Sequence, residues 1–127
     1  MTEFVLDASV VIAGLQRERG GVQARQAFPG SLLSAVNATE VVQRLVHLGH
    51  TEAAVRLSLN ALPCQIVAFD LPQAIVAGEL RRQTQSQGLS LGDRACLALA
   101  KLRGLPAITA DRAWAAVDAG VEIVLIR

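Results

Sequence analysis

Residues 90–111, SLGDRACLALAKLRGLPAITAD, contain a helix that leads directly into a strand, and this stretch decides the fold class. Ser90 and Asp93 have the Ser-x-x-Asp spacing of a helix start, and Gly104 stands where a helix normally ends. The apolar run 107–109 then has the length of a short buried strand. A helix that returns the chain to a strand in this way is typical of parallel sheets with helices on both faces.

The same alternation continues along the rest of the chain. Strands are predicted at 3–6, 31–33, 65–69, 107–109 and 121–126. A turn at 7–9 leads into a predicted helix that ends at about residue 15. The polar stretch 16–21 is predicted to be an exposed loop. Further helices are predicted at 34–48, 51–62, 70–85 and 90–103. We therefore expect an α/β fold: a three-layer sandwich with a central, mostly parallel sheet of about five strands, formed by a single domain over residues 1–127.

Composition limits the class of protein. Hydrophobic residues make up 52% of the chain and the mean hydropathy is +0.40, which is high for a small soluble monomer and predicts apolar surface for an oligomer or a partner. No apolar run approaches the roughly 18 residues of a membrane span, and the start, Met1-Thr2-Glu3, lacks the basic region of a signal peptide. We therefore expect a cytoplasmic protein with no membrane segment, whose Cys64 and Cys96 are reduced thiols.

The charge of the chain gives it little overall attraction for nucleic acid. The formal net charge is +1, so any nucleic-acid binding has to come from a local patch. Lys101 is the only lysine among the 12 lysine and arginine residues. Arginine binds phosphate with a planar, bidentate fork, although a GC-rich coding sequence explains the bias equally well. Aromatic residues make up 3% of the chain and tyrosine is absent, which argues against a base-stacking platform.

Four acidic residues occupy positions where charge is costly unless a cation joins them. Asp7 and Asp111 each follow a predicted strand. Asp93 lies in the first turn of a predicted helix, and Glu40 lies inside another. In an open parallel sheet these positions meet at one crevice, where like charges about 4 Å apart repel by about 4 kcal/mol at an effective dielectric of 20. Because Mg²⁺ and similar ions bind oxygen ligands and remove that cost, the pattern predicts a metal-dependent phosphoryl-transfer site.

Each acid also has an ordinary structural interpretation. Asp7 could be a turn residue, and Asp93 could simply complete a capping box. Glu40 could pair with Arg44 one turn later, and Asp111 could cap a short helix. Taken singly, each acid is more often structural. Taken together, three acids at strand ends or helix starts and one helical glutamate favour a shared site.

Four segments resemble the four acidic motifs of PIN-domain ribonucleases, in the same order and at similar spacing. They are VLDAS at 5–9, SAVNATEV at 34–41, LSLGDRACLALA at 89–100 and TADRAW at 109–114. The last segment is similar to the form found among VapC-type toxins of bacterial toxin–antitoxin pairs. The resemblance implies a PIN-like fold and a divalent-metal-dependent endoribonuclease that hydrolyses RNA through a metal-activated water, leaving a 3′-hydroxyl and a 5′-phosphate.

The resemblance also implies roles for the four acids. Asp7, Asp93 and Asp111 are expected to be catalytic and to bind Mg²⁺, or else Mn²⁺, directly or through water. Glu40 is expected to act as a further catalytic metal ligand or to orient the attacking water. Two metal ions together would activate the water and stabilise the leaving oxygen.

Three neighbouring polar residues are predicted to support these acids. Ser9 and Thr109 are expected to hold carboxylates in register through their hydroxyl groups. Ser9 is also placed to cap the first helix, which would leave Asp7 free. Asn37 lies one turn before Glu40 and either has the same supporting role or lies on the helix surface.

The expected partners follow from the same resemblance: an RNA substrate, a cognate antitoxin protein and a second copy of the chain. The helices at 52–62 and 71–85 are expected to supply much of the homodimer contact. Two other functions remain open. One is a non-catalytic PIN-like binding module. The other is a different Mg²⁺-dependent phosphotransfer domain, which needs a second acid after the first strand and a lysine at a later strand, whereas Ala8 and Ser9 follow Asp7 here and Lys101 is in mid-helix.

Overall fold

The computed structural model describes residues 3–127 and places five short parallel strands in one sheet, in the order β3-β2-β1-β4-β5. Met1 and Thr2, on which part of the signal-peptide prediction depended, lie outside the described residues. The strands are β1 Val5–Leu6, β2 Leu32–Ser34, β3 Gln65–Val67, β4 Ala107–Thr109 and β5 Ile123–Leu125. All four strand pairings are parallel, so the predicted mostly parallel sheet of five strands is confirmed.

Helices cover the sheet and mostly begin where the sequence predicts. Their bounds are α1 Ala8–Leu15, α2 Gly21–Ala27, α3 Ala35–His47, α4 Glu52–Asn60, α5 Leu71–Glu79, α6 Arg81–Thr84 and α7 Leu91–Arg103. Two 3₁₀ turns follow α6 and β4, at Gln85–Gln87 and Arg112–Ala116. The side chains of Ser34, Thr51, Asp70 and Ser90 cap α3, α4, α5 and α7 as expected. No helix within residues 3–127 has both the length and the apolar character needed to cross a bilayer.

Two elements differ from the prediction. The stretch after α1 contains the additional helix α2, because Gly21 lets its backbone pack against α1; a Cβ at this glycine would lie 2.7 Å from the carbonyl oxygen of Ala13. The helix predicted at 70–85 is interrupted at Leu80. There the Arg94 guanidinium of α7 donates a hydrogen bond of 2.9 Å to the carbonyl oxygen of Ala77, an oxygen that a continuous helix would use internally.

The sheet separates two hydrophobic clusters, which gives the predicted three layers. Successive strand residues point to opposite faces. Leu6 and Ile108 therefore pack with α1, α2 and α3 on one face, whereas Val5 and Ala107 pack with α5 and α7 on the other. Trp114 is fully buried in the second cluster and Cys96 lies in the same cluster as a free thiol.

The strand order places a crevice beside β1. The chain passes from β1 outward through β2 and β3, then returns to the other side of β1 to form β4 and β5. The direction of winding therefore reverses between β1 and β4. In open parallel sheets, ligands bind outside the carboxyl ends of the strands at this reversal. The residues that follow β1 and β4, Asp7 and Ala110–Asp111, lie at that position.

Candidate active site

An open groove of about 450 Å³ lies at the carboxyl ends of the strands, and all four predicted acids line it. Its lining residues are Asp7, Ala8, Ser9, Ile12, Glu40, Gln43, Arg44, Asp93 and Asp111. The acids come from four different elements, which the fold brings together from positions up to 104 residues apart in the chain, from residue 7 to residue 111.

Asp7 is the most deeply buried of the four acids, with 4% of its surface exposed. Its backbone N–H donates to the carbonyl oxygen of Ile108, which ties the end of β1 to β4. The hydroxyl groups of Ser9 and Thr109 both donate to its Oδ2 atom, at 2.6 and 2.9 Å. Asp7 itself occupies the N-cap position of α1 without a side-chain capping bond. The prediction that Ser9 caps α1 is therefore wrong, because Ser9 lies inside the helix as its second residue and its Oγ accepts from the backbone N–H of Ala110 instead.

The same two hydroxyl groups also hold the segment that carries Asp111. The backbone N–H of Ala110 donates to Ser9 Oγ at 2.9 Å. The backbone N–H of Asp111 donates to Thr109 Oγ1 at 3.1 Å. Each hydroxyl thus donates to Asp7 and accepts from the chain after β4, so the positions of Asp7 and Asp111 are coupled.

Glu40 is held by a buried amide. The Nδ2 atom of Asn37, which is fully buried, donates to Glu40 Oε1 at 3.0 Å and to the carbonyl oxygen of Gly92 at 3.1 Å. Of the two interpretations of Asn37, the structure therefore supports contact with Glu40 over a place on the helix surface. The alternative ion pair between Glu40 and Arg44 is not among those formed within residues 3–127.

Gly92 is a site residue that the sequence analysis missed. A Cβ atom at this position would overlap the carboxylate of Glu40. The absence of a side chain therefore lets α3 and α7 approach closely enough for Glu40 to lie beside the start of α7. A glycine in the first turn of a helix, where it lowers helix stability, was the available signal. Gln43 and Arg44, three and four residues after Glu40, share its helix face and could have been found by that spacing.

Asp93 and Asp111 perform their structural roles while they line the groove. Asp93 completes the capping box of α7: its Oδ2 accepts from the backbone N–H of Ser90 at 2.9 Å. Asp111 caps the 3₁₀ turn that follows β4, since its Oδ1 accepts from the backbone N–H of Ala113 at 2.9 Å.

Glu40, Asp93 and Asp111 are each fixed through one oxygen atom, and both side-chain hydrogen bonds to Asp7 reach its Oδ2 atom. The second oxygen of Glu40, Asp93 and Asp111 accepts no hydrogen bond from residues 3–127, and that of Asp7 receives none from a side chain in the same part of the molecule. Carboxylates that are oriented by one oxygen and free at the other are suited to binding a cation.

The electrostatics of the groove disfavour the ionised form of two of its acids. Burial raises the pKa of Asp7, and the charge of Asp93 raises it further, against the opposing effect of the hydrogen bonds from Ser9 and Thr109. Burial also raises the pKa of Glu40, followed by the charge of Asp7, while the hydrogen bond from Asn37 lowers it. Positive charge in the groove would relieve both effects.

The donor set fits a hard divalent cation bound in an open site. Within residues 3–127, no group of three or more His, Cys, Asp or Glu side chains is arranged so that it could hold a metal ion by itself, as a complete protein cage would. A complete cage is not required for Mg²⁺, because this ion retains several waters and binds to proteins through one or two carboxylates together with substrate phosphates. Oxygen-only donors around an open groove match that behaviour.

Comparison with known proteins establishes the family. A family model described as the PIN domain matches residues 4–120, so the chain belongs to the PIN-domain family. The family predicted from the sequence is thereby confirmed. At the level of sequence, none of the curated proteins compared with the chain matches it significantly.

Solved structures share the whole fold. A toxin–antitoxin complex from Klebsiella pneumoniae matches with a TM-score of 0.75 and 24% identity, over 100% of this chain and 98% of that one. DNA-bound VapBC from Salmonella typhimurium matches with a TM-score of 0.77 and 16% identity, over 100% of both chains. VapC20 from Mycobacterium tuberculosis, described as a toxin that cleaves the sarcin–ricin loop, matches with a TM-score of 0.70 and 15% identity, over 93% of this chain and 98% of that one.

Proposed function

We propose that this protein is a divalent-metal-dependent endoribonuclease and the toxin of a toxin–antitoxin pair, acting in the cytoplasm. The observation that carries the proposal is the groove lined by Asp7, Glu40, Asp93 and Asp111, whose carboxylates are held in place by hydrogen bonds. Membership of the PIN-domain family supports it. The similarity to VapBC structures, and to a toxin that cleaves the sarcin–ricin loop, supports RNA as the substrate.

The acids of the groove and the hydroxyl groups beside them are proposed to have different roles, which follow from their positions. Asp7, Asp93 and Asp111 would hold Mg²⁺, or Mn²⁺ in its place, through carboxylate oxygen atoms. When bound, such an ion supplies positive charge that neutralises the phosphate and makes water easier to deprotonate. Ser9 and Thr109 keep Asp7 and Asp111 in register, because each hydroxyl is bonded to both segments.

Glu40 is the residue proposed to orient the attacking water. Its Oε1 is fixed by Asn37, which leaves Oε2 to accept a hydrogen bond from water. The water would give a proton to Glu40 as its oxygen bonds to phosphorus, the bond from phosphorus to the 3′ oxygen would break, and that oxygen would take a proton from solvent water. The products are a 3′-hydroxyl and a 5′-phosphate.

The proposed antitoxin is expected to dock beside the acids. A groove of about 560 Å³ between α3 and α4 is lined by Val42, Val46, Val55 and Leu59 among others, and Val42 directly precedes the Gln43 and Arg44 of the acidic groove. This apolar surface fits the apolar face of a helix. An arginine of the antitoxin could enter the acidic groove and replace the charge of the metal. A complex whose contacts all lie on the opposite face from the acids would contradict this part of the proposal.

The proposed activity is tested by incubating the purified protein with RNA and mapping the cleaved ends. We expect cleavage with added Mg²⁺ or Mn²⁺, none with a chelator, and a 5′-phosphate on the downstream fragment. Asp7→Asn is expected to abolish cleavage while the circular dichroism spectrum remains that of the wild type. Asp118→Asn, the same change at an exposed acid outside the groove, is the control and should cleave normally. Intact cleavage by Asp7→Asn, or cleavage in chelator, would overturn the proposal and favour a non-catalytic binding module or another enzyme.

A further inference from the structure

Four arginines lie beyond the acidic groove, on the side of the sheet formed by β4 and β5; we call Arg17, Arg19, Arg112 and Arg127 the arginine rim. Arg17 and Arg19 belong to the loop after α1, Arg112 begins the 3₁₀ turn behind Asp111, and Arg127 follows β5. The end of β5 pairs with Thr109, the residue whose hydroxyl group donates to Asp7. The chain therefore leaves β5 at the same end of the sheet as the acids.

Hydrogen bonds join these three segments into one surface. Arg112 Nε donates to the main-chain oxygen of Arg127 at 3.3 Å. Arg127 Nη1 donates to the carbonyl oxygen of Arg19 at 2.9 Å and lies 3.4 Å from Glu18 Oε1. Arg17, Arg19 and Arg112 are exposed and form no ion pair with an acid in the part of the chain that the structure describes. Their positive charge is therefore available to a partner.

The backbone conformation of Arg17 is unusual for a residue with a side chain. It has a φ angle of 54°, in the left-handed region, and follows α1 at the position where helices usually have glycine. The turn is closed by the backbone N–H of Glu18, which donates to the carbonyl oxygen of Ala13 at 3.0 Å. A left-handed conformation destabilises any residue with a Cβ atom. The conformation of Arg17 therefore costs folding free energy that a glycine would save, which is compatible with a binding role for its side chain.

The acidic groove creates the need for such a surface. Four carboxylates repel the phosphates of RNA, and the net charge of +1 supplies no general attraction. Arg44 provides one guanidinium on the groove wall, on the α3 side of Asp7. The rim lies on the other side, beyond β4. Guanidinium groups bind phosphate oxygens with two parallel hydrogen bonds.

We propose that the arginine rim binds the phosphate backbone of single-stranded RNA next to the bond that is cut, so that the strand crosses the acids between Arg44 and the rim. The inference rests on the proposed ribonuclease function and names the surface that recognises the substrate. It requires no base-specific contact, so the rim contributes affinity to all sequences alike.

The test measures binding of a short, fluorescently labelled single-stranded RNA of mixed sequence by the full chain, in chelator so that it is not cut, over a range of salt concentrations. Arg19→Gln and Arg112→Gln are each expected to weaken binding several-fold and to lower the slope of log K against log salt by about 0.7, the value for one phosphate contact on a single strand. Arg103→Gln, an exposed arginine at the far end of α7, should match the wild type. With metal, the rim variants should raise KM and leave kcat unchanged.

The Arg17→Gly variant distinguishes an effect on RNA binding from an effect on stability. It removes a charge and relieves the left-handed strain, so the melting temperature should rise while RNA affinity falls. If the rim variants and Arg17→Gly bind RNA as Arg103→Gln does, while the wild type still binds and cleaves, the rim proposal is wrong and the ribonuclease function stands. A wild type that neither binds nor cleaves RNA would instead contradict the proposed function itself.

Discussion

At Gly92, the absence of one methyl group decides where Glu40 can lie. Gly92→Ala would place a Cβ atom against the Glu40 carboxylate and force it, or the start of α7, to move. A displacement of about 1 Å can reduce catalysis by about a hundredfold, so we expect a loss of cleavage of that order. Gly78→Ala is the control, because a Cβ atom there meets no atom within 4 Å. It should increase stability by about 0.5–1 kcal/mol in a urea titration and leave cleavage unchanged. Wild-type cleavage by Gly92→Ala would show that Glu40 is not positioned in this way.

Asp7 links the groove to the pH dependence of stability. Burial raises its pKa in the folded protein, so the stability that this group contributes is full below its unfolded pKa, at about pH 4, and is lost as pH rises through the folded pKa. In the Asp7→Asn variant, the side chain at position 7 cannot ionise. Without metal this variant should be more stable than the wild type at neutral pH, by about 1 kcal/mol, and this difference should shrink towards pH 4. Urea titrations in chelator at several pH values measure it. A wild type that is the more stable protein at neutral pH would contradict the prediction.

Among the elements, α7 was the most predictable from sequence, because its capping box and Gly104 are local signals. The helix α2 could not be predicted, because the paired glycines before it are typical of a loop. Only the structure shows that one of them allows a close contact with α1. The interruption of the predicted 70–85 helix at Leu80 could not be predicted either, because it accompanies a hydrogen bond between residues 77 and 94, which lie on different helices. Asp7, Asp93 and Asp111 could be predicted from their places after strands and at a helix start, and Glu40 from the resemblance of its segment to a PIN-domain motif. The contact of Asn37 with Gly92 could not, because it depends on how two helices dock.

The capping box of α7 also offers a test at the level of one helix. Ser90→Ala removes the hydroxyl that accepts from the Asp93 backbone, so it should lower stability by about 1 kcal/mol and also reduce RNA cleavage as the first turn loosens around Asp93. Thr51→Ala removes the corresponding cap of α4, away from the groove, and should cost similar stability with no effect on cleavage. Thermal melts and cleavage rates compare the two variants. Equal cleavage by both would show that the position of Asp93 does not depend on its cap.

The whole molecule has apolar surface that a monomer would leave in water. Leu71 and Ile75 on α5 are 71% and 58% exposed, and Leu57 on α4 is 73% exposed. These are the two helices from which a homodimer contact was predicted, and we propose that they form it. Sedimentation at micromolar concentration should give a dimer, and Ile75→Glu should give a monomer. Val22→Glu, at an equally exposed position on α2, should remain dimeric. A monomeric wild type would contradict the prediction.

Calorimetric titration with Mn²⁺ measures whether the acids that line the groove form a metal site. We expect the wild type to bind Mn²⁺, and Asp7→Asn, Asp93→Asn and Asp111→Asn each to weaken binding by at least about tenfold. Glu40→Gln changes the group proposed to orient the attacking water, so it should weaken Mn²⁺ binding less. Asp118→Asn, outside the groove, should bind as the wild type does. If the four groove variants bind Mn²⁺ like the wild type, the acids are structural residues and do not form a metal site.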